Sequence, residues 1–153
     1  MRIFNILILV FLFIKFLHCN DDKSIEIIAE SMEWDKQKGQ AIAKGNAKAV
    51  KGDTIITANQ IIAVMNRNSE TQKIIRLLAY GNVEFSNGYQ LATGNNAVYN
   101  LDKNQIVIKG NVNLKREENI IKGDKLIIDF ETGLSKMLGS SSEDKVKMKY
   151  STE

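Results

Sequence analysis

The chain has 153 residues, a formal charge of +3, 44% hydrophobic and 25% charged residues, the size of one domain alone or with a short targeting segment. His and Cys occur once each, as His18 and Cys19, and Pro is absent. Beyond residue 19 there is neither thiol nor imidazole, which excludes Cys nucleophiles, Ser-His-Asp triads, disulfides and Cys/His zinc sites from that part.

Residues 1–19 open on Met1-Arg2 and continue with an apolar run from Ile3 to Leu17, broken only by Asn5 and Lys15. The run is shorter than the roughly 20 residues that a spanning helix needs. A positive start followed by a short apolar core predicts a secretory signal peptide over 1–19, cleaved after Cys19. The alternatives are an uncleaved anchor, with Lys15 snorkelling, and a lipid anchor on Cys19, which the bulk of His18 disfavours. Removal of Arg2 and Lys15 leaves a net charge of +1, so the basic pI is no sign of nucleic-acid binding. No basic stripe interleaved with aromatics is present either.

The remainder repeats. Three Gly-Asn pairs, Gly45-Asn46, Gly81-Asn82 and Gly110-Asn111, are followed thirteen residues later by Ala58-Asn59, Gly94-Asn95 and Gly123-Asp124. A half copy, Ala29-Glu30, precedes them. One long interval is explained by a polar insertion near Asn66–Gln72. Around the Gly-Asn marks the apolar residues alternate: Ala41, Ala43, Ala47 and Ala49; then Leu77, Ala79, Val83 and Phe85; then Ile106, Ile108, Val112 and Leu114. Period two with one apolar face predicts half-buried strands. A glycine inside such a strand marks a bend or bulge, and repeating it in phase curves the whole sheet one way.

Turns are predicted at Asp35–Gly39, Lys51–Asp53, Asn87-Gly88, Leu101–Asn104, Arg116–Asn119 and Glu131–Gly133. Asn87-Gly88 suits a tight hairpin with positive φ at both residues. About ten short strands and no helical stripe predict an all-β fold: a sandwich, roll or solenoid. Gly139–Asp144 reads as a polar linker, and Lys145–Tyr150 as a terminal strand or an edge kept soluble by lysine.

The marks, with Met32, Trp34 and Asp35, with Ile61 and Ala63, with Tyr99, and with Leu126, Ile128 and Asp129, resemble the repeat of the LptA/OstA-like periplasmic lipopolysaccharide-transport family over about residues 25–135. The resemblance implies a twisted antiparallel β-jellyroll of in-phase strand repeats, open at both ends, over residues 20–153, with a repeat core at 25–135 and the linker and terminal strand at 139–153. It also implies a lipid-filled interior. The candidate lining is Met32, Trp34, Ile61, Leu77, Val83, Phe85, Tyr99, Ile106, Ile108, Val112, Leu114, Leu126 and Ile128. The competing expectation is that these residues simply fill a core.

The function implied is a periplasmic carrier of the lipid A part of lipopolysaccharide that bridges inner and outer membranes. The partners implied are LptC-like inner-membrane and LptD-like outer-membrane components and further copies of the chain, joined head to tail. Residues 25–29 and 145–150 flank the repeats and are the edge candidates. The alternatives are a membrane-anchored LptC-like adaptor of the same pathway and a structural β-repeat interaction module. No enzyme is expected: Asp35, Asp53, Asp102, Asp124, Glu131 and Glu117-Glu118 recur at turns or repeat-equivalent positions, whereas a catalytic pair breaks a repeat. No cofactor is expected, and without a phosphate-binding loop any nucleotide hydrolysis falls to a partner.

Overall fold

The computed structural model describes residues 24–68, 72–141 and 143–151. The expected signal peptide lies outside the described residues. Ten strands follow in chain order: β1 (Glu26–Ile28), β2 (Ser31–Asp35), β3 (Gln40–Lys51), β4 (Thr54–Met65), β5 (Ile74–Ser86), β6 (Leu91–Asn100), β7 (Gln105–Arg116), β8 (Asn119–Asp129), β9 (Ser135–Leu138) and β10 (Lys147–Lys149). They form one antiparallel sheet in which β3 to β8 lie side by side in chain order. The fold is the all-β jellyroll expected, but β3 to β8 run 10–13 residues each and are not short.

They are long because the Gly-Asn marks interrupt the register without ending the strand. At each mark two residues face one across the ladder, as Gly45-Asn46 faces Asn59 between the pairs Lys44↔Gln60 and Ala47↔Ala58. Both residues of each pair have positive φ: 79° and 44°, 75° and 48°, 81° and 51°. Glycine adopts that conformation freely, and asparagine is among the side chains that tolerate it best. The second-mark residue closes over the bulge: the Asn46 amide donates to Glu30 Oε1, and the Asn82 amide donates to Asn59 Oδ1 at 3.3 Å.

Each edge of the sheet consists of two short strands. β1 and β2 both pair with β3, one on each side of its bulge, and β10 and β9 do the same along β8. The segment read as a linker thus contains a fourth, altered mark. Gly139-Ser140 follows Gly110 by the 29-residue repeat step, and a five-residue excess before Met148 reaches the place of Leu114 opposite Ile121.

The turns fall in two sets. One set holds residues 36–39, 66–68 with 72–73, 101–104 and 130–134; the other holds 52–53, 87–90 and 117–118. Side-chain acceptors shape them. Asp35 Oδ1 accepts from the Lys38 N–H and Asp129 Oδ1 from the N–H groups of Glu131 and Thr132, each at 2.9 Å, while Asn100 Oδ1 accepts from Lys103 at 3.0 Å. The Asn87-Gly88 hairpin is wider than expected. Ser86 pairs with Leu91, Asn87 Oδ1 accepts from the Tyr89 and Gln90 N–H groups, and Gly88 alone of the first two loop residues has positive φ.

A flat sheet leaves both faces to water unless another layer covers one. Here the inward face is buried with no second layer among the described residues, so the sheet closes on itself along the line of bulges. Contacts between the two turn sets prove the closure. Phe130, in the first set, meets Phe85, beside the second, at a ring-centroid distance of 5.9 Å, and packs edge-on against Tyr99 at 5.6 Å. Arg116, beside the second set, donates to Ser135 Oγ at 3.3 Å and to Oε1 of the buried Gln90 at 2.8 Å.

Candidate functional site

Two features distinguish this molecule chemically: an apolar interior and two sheet edges that are unpaired among the described residues. Residues paired across a ladder share a face, so the inward set can be followed from strand to strand. β3 turns Ala41, Ala43, Ala47 and Ala49 inward, β4 turns Ile56, Ala58, Ile61, Ala63 and Met65, and β5 turns Leu77, Ala79, Val83 and Phe85. β6 contributes Ala92, Ala97 and Tyr99, β7 contributes Ile106, Ile108, Val112 and Leu114, and β8 contributes Leu126 and Ile128. All belong to one buried cluster.

Eleven of the thirteen sequence-selected lining residues are in that cluster: Ile61, Leu77, Val83, Phe85, Tyr99, Ile106, Ile108, Val112, Leu114, Leu126 and Ile128. They touch each other and are sealed from water. Met32 and Trp34 differ. They face the same side, paired with Ala43 and Ala41, but β2 is an edge strand, and they are 54% and 56% exposed. At the opposite edge Met137 and Met148 face inward opposite Leu126 and Ile121, and Met148 is 61% exposed. The interior is thus closed along its middle and open at its two mouths.

Sequence reasoning passed over Ile27, Ile121, Met137 and Met148, which face the same interior. Their alternation continues that of the repeats, and the 29-residue step to Gly139 marks the strand that carries Met137. The N-terminal mouth also carries charge. A groove of about 270 Å³ there joins Trp34 and Met65 to Lys36 and Arg67, whose guanidinium donates to the Gln37 carbonyl at 2.6 Å.

Titratable groups play little part inside. Burial pushes the Tyr99 phenol above its ordinary pKa, which keeps it protonated, and it donates to Asn104 Oδ1 at 3.3 Å. Asp35 and Asp129 are held below the ordinary carboxylate range, chiefly by the backbone N–H groups of Lys38 and Thr132. Both serve turns at the rim.

These features define a class: an antiparallel β-jellyroll of bulged repeats with an apolar interior, left open at two sheet edges. The crystal structure of LptH from Pseudomonas aeruginosa, described as the LptA-homologous periplasmic component of the lipopolysaccharide transport device, has the same fold, with a TM-score of 0.74 over 86% of this chain and 99% of that one, at 18% identity. An uncharacterized protein of Rhizobium meliloti (strain 1021) is 30% identical over 123 residues, which are 76% of this chain and 66% of that protein. The chain belongs to the LptA/LptD N-terminal-domain family of lipopolysaccharide transport proteins, which it matches over residues 26–134.

Proposed function

We propose that this chain is a periplasmic carrier in lipopolysaccharide transport, that the acyl chains of lipid A lie between the two halves of its folded sheet, and that copies of it join head to tail into a bridge between LptC-like and LptD-like membrane components. The observation that carries this reading is an inward face apolar from mouth to mouth, ending at each edge on exposed, inward-facing side chains: Met32 and Trp34 at one, Met148 at the other.

The energetics favour an amphiphile with long tails. Each methylene moved from water into such an interior is worth about 0.8 kcal/mol, so a tail of about a dozen carbons gains up to about 10 kcal/mol. The interior side chains already touch, so a tail gains room by parting the two halves of the sheet. Parting begins at β2, where Met32 and Trp34 have no strand beyond them among the described residues. The tail then replaces the side-chain contacts it breaks with contacts of the same kind. Lys36 and Arg67 at that mouth suit the phosphates of the head group.

Lipid extracted from the purified chain and identified by mass spectrometry tests the carrier reading, and lipid A species are expected. Trp34 is the sole tryptophan, so its emission should shift to the blue on titration with lipopolysaccharide. A chain that carries no lipid and whose Trp34 emission ignores lipopolysaccharide is not such a carrier.

A further inference from the structure

The two free edges carry opposite charge. β1, β2 and the residues joining them contain Glu26, Glu30, Glu33 and Asp35 and no basic residue, whereas β9 and β10 contain Lys136, Lys147 and Lys149 and no acid, with Glu143, Asp144 and Lys145 in the segment that joins them, which leaves this edge net positive. The edges are also complementary in direction. Strands alternate from β3 to β8, β1 and β2 run against β3, and β9 and β10 run against β8. A second copy placed edge to edge therefore continues the antiparallel alternation.

The internal repeat supplies the register. The residue three before a Gly-Asn glycine always pairs with the residue four after the next second-mark residue: Ile42↔Ile62, Leu78↔Val98 and Val107↔Ile127. Counted from Gly139 and Ala29, the same rule sets Lys136 opposite Glu33. Beyond the bulge, Val50↔Ile55, Ser86↔Leu91 and Lys115↔Ile120 are equivalent pairs. Lys149 occupies the place of Lys115 against Ile120, and so falls opposite Glu26.

We propose that copies of this chain join with β9 and β10 of one against β1 and β2 of the next in the register of the internal repeat, so that Lys136 and Lys149 form cross-strand ion pairs with the partner's Glu33 and the partner's Glu26. This rests on the head-to-tail reading and adds the register and charge code that it lacks. The same register brings Met137 against the partner's Met32, and Met148 against the partner's Ile27. Side chains left open at the mouths are then covered, and the apolar interior runs on from copy to copy. Glu33 already bonds Lys44 at 3.4 Å on its other side, so the junction forms a Lys-Glu-Lys ladder on the outer face.

The test uses the chain with Cys19→Ser. Lys136→Cys with Glu33→Cys should give an oxidised ladder of oligomers, because directly opposed positions lie within disulfide reach. Lys136→Cys with Ser31→Cys, two residues out of register, should not. Lys149→Glu should weaken self-association about tenfold at low salt, with less effect in 1 M salt, and added Glu26→Lys should restore it. Circular dichroism melts establish that each variant folds. A wild-type chain that sediments as a monomer at every concentration overturns both the head-to-tail reading and the register. Assembly with cross-links at Ser31, or indifferent to Lys149→Glu, overturns the register alone. Lipid binding is measured separately and judges the carrier reading.

Discussion

β3 and β7 occupy equivalent places in the repeat and have nearly the same backbone, yet they fill the interior differently. At the four inward positions around its Gly-Asn mark β3 carries Ala41, Ala43, Ala47 and Ala49, whereas β7 carries Ile106, Ile108, Val112 and Leu114. β5 is intermediate, with Leu77, Ala79, Val83 and Phe85. All twelve side chains are buried. The backbone path is therefore set by the glycine-asparagine bulges and the turns, not by the volume of what they enclose. Volume is free to vary along the molecule: among these three equivalent strands it is least in β3 and greatest in β7.

That contrast can be broken most severely at the bulky end. Leu126 is fully buried in the aliphatic cluster, between Ile108 and Met137 across its two ladders. Leu126→Ala removes buried methyl groups and leaves a cavity, so urea unfolding should show a loss of about 3 kcal/mol. A loss below about 1 kcal/mol would mean that this end collapses as readily as the alanine end. The converse change belongs at the small end. Ala47 is fully buried, and Ala47→Leu should cost about 2 kcal/mol by overpacking. If the alanines mark the room that a lipid tail takes, the same variant should lose affinity for lipopolysaccharide by a larger factor than Leu126→Ala does, read from the Trp34 titration.

Much of this architecture is legible in the sequence because its determinants are local. Alternation gives the strand faces, Gly-Asn gives the bulge, and Asp35, Asn100 and Asp129 give turns through their own side-chain oxygens. The mouths are not local. Met32 and Ile61 hold equivalent repeat positions, yet one is exposed and the other buried, because among the described residues β2 has a neighbour on one side and β4 on both. Sequence periodicity reports the face of a strand and is silent on its rank in the sheet. The fourth mark escaped for another reason: Ser140 replaces the asparagine, and the extra residues before Met148 break the phase.

The rim carboxylates offer a finer contrast between the two ends. Asp35 accepts the Lys38 N–H and also pairs with the Lys38 ammonium at 3.2 Å, whereas Asp129 accepts from the backbone N–H groups of Glu131 and Thr132 and from the neutral Thr132 side chain. Both carboxyls are held below their ordinary pKa, so the folded state binds their protons less readily than the unfolded state does. Their contribution is complete above the ordinary carboxylate range and fades as pH falls through the lowered folded value. Stability should therefore drop on acidification below about pH 4. Asp129→Asn keeps an oxygen acceptor but cannot titrate, so its acid limb should be shallower than that of the wild type. High salt should change the limb of Asp35→Asn less than that of the wild type, because the Lys38 ion pair is gone. Identical acid limbs for Asp129→Asn and wild type would show that the turn does not sense this carboxylate.

The smallest difference lies between two hairpins of the same turn set. Lys51 pairs with Thr54 across Gly52-Asp53, and Arg116 pairs with Asn119 across Glu117-Glu118. The first loop residue has φ of 55° in one and 54° in the other. Glycine enters that region without a clash, whereas a residue with a Cβ gives up about 1–2 kcal/mol. Glycine also gives up more chain entropy on folding, and this offsets part of the gain. Glu117→Gly should therefore stabilise the chain by about 0.5 kcal/mol, and Gly52→Ala should destabilise it by about 1 kcal/mol, both measured as shifts of the urea midpoint at constant slope. A loss on Glu117→Gly would mean that the glutamate side chain makes a contact worth more than the strain it imposes, and the two hairpins would then be alike in backbone only.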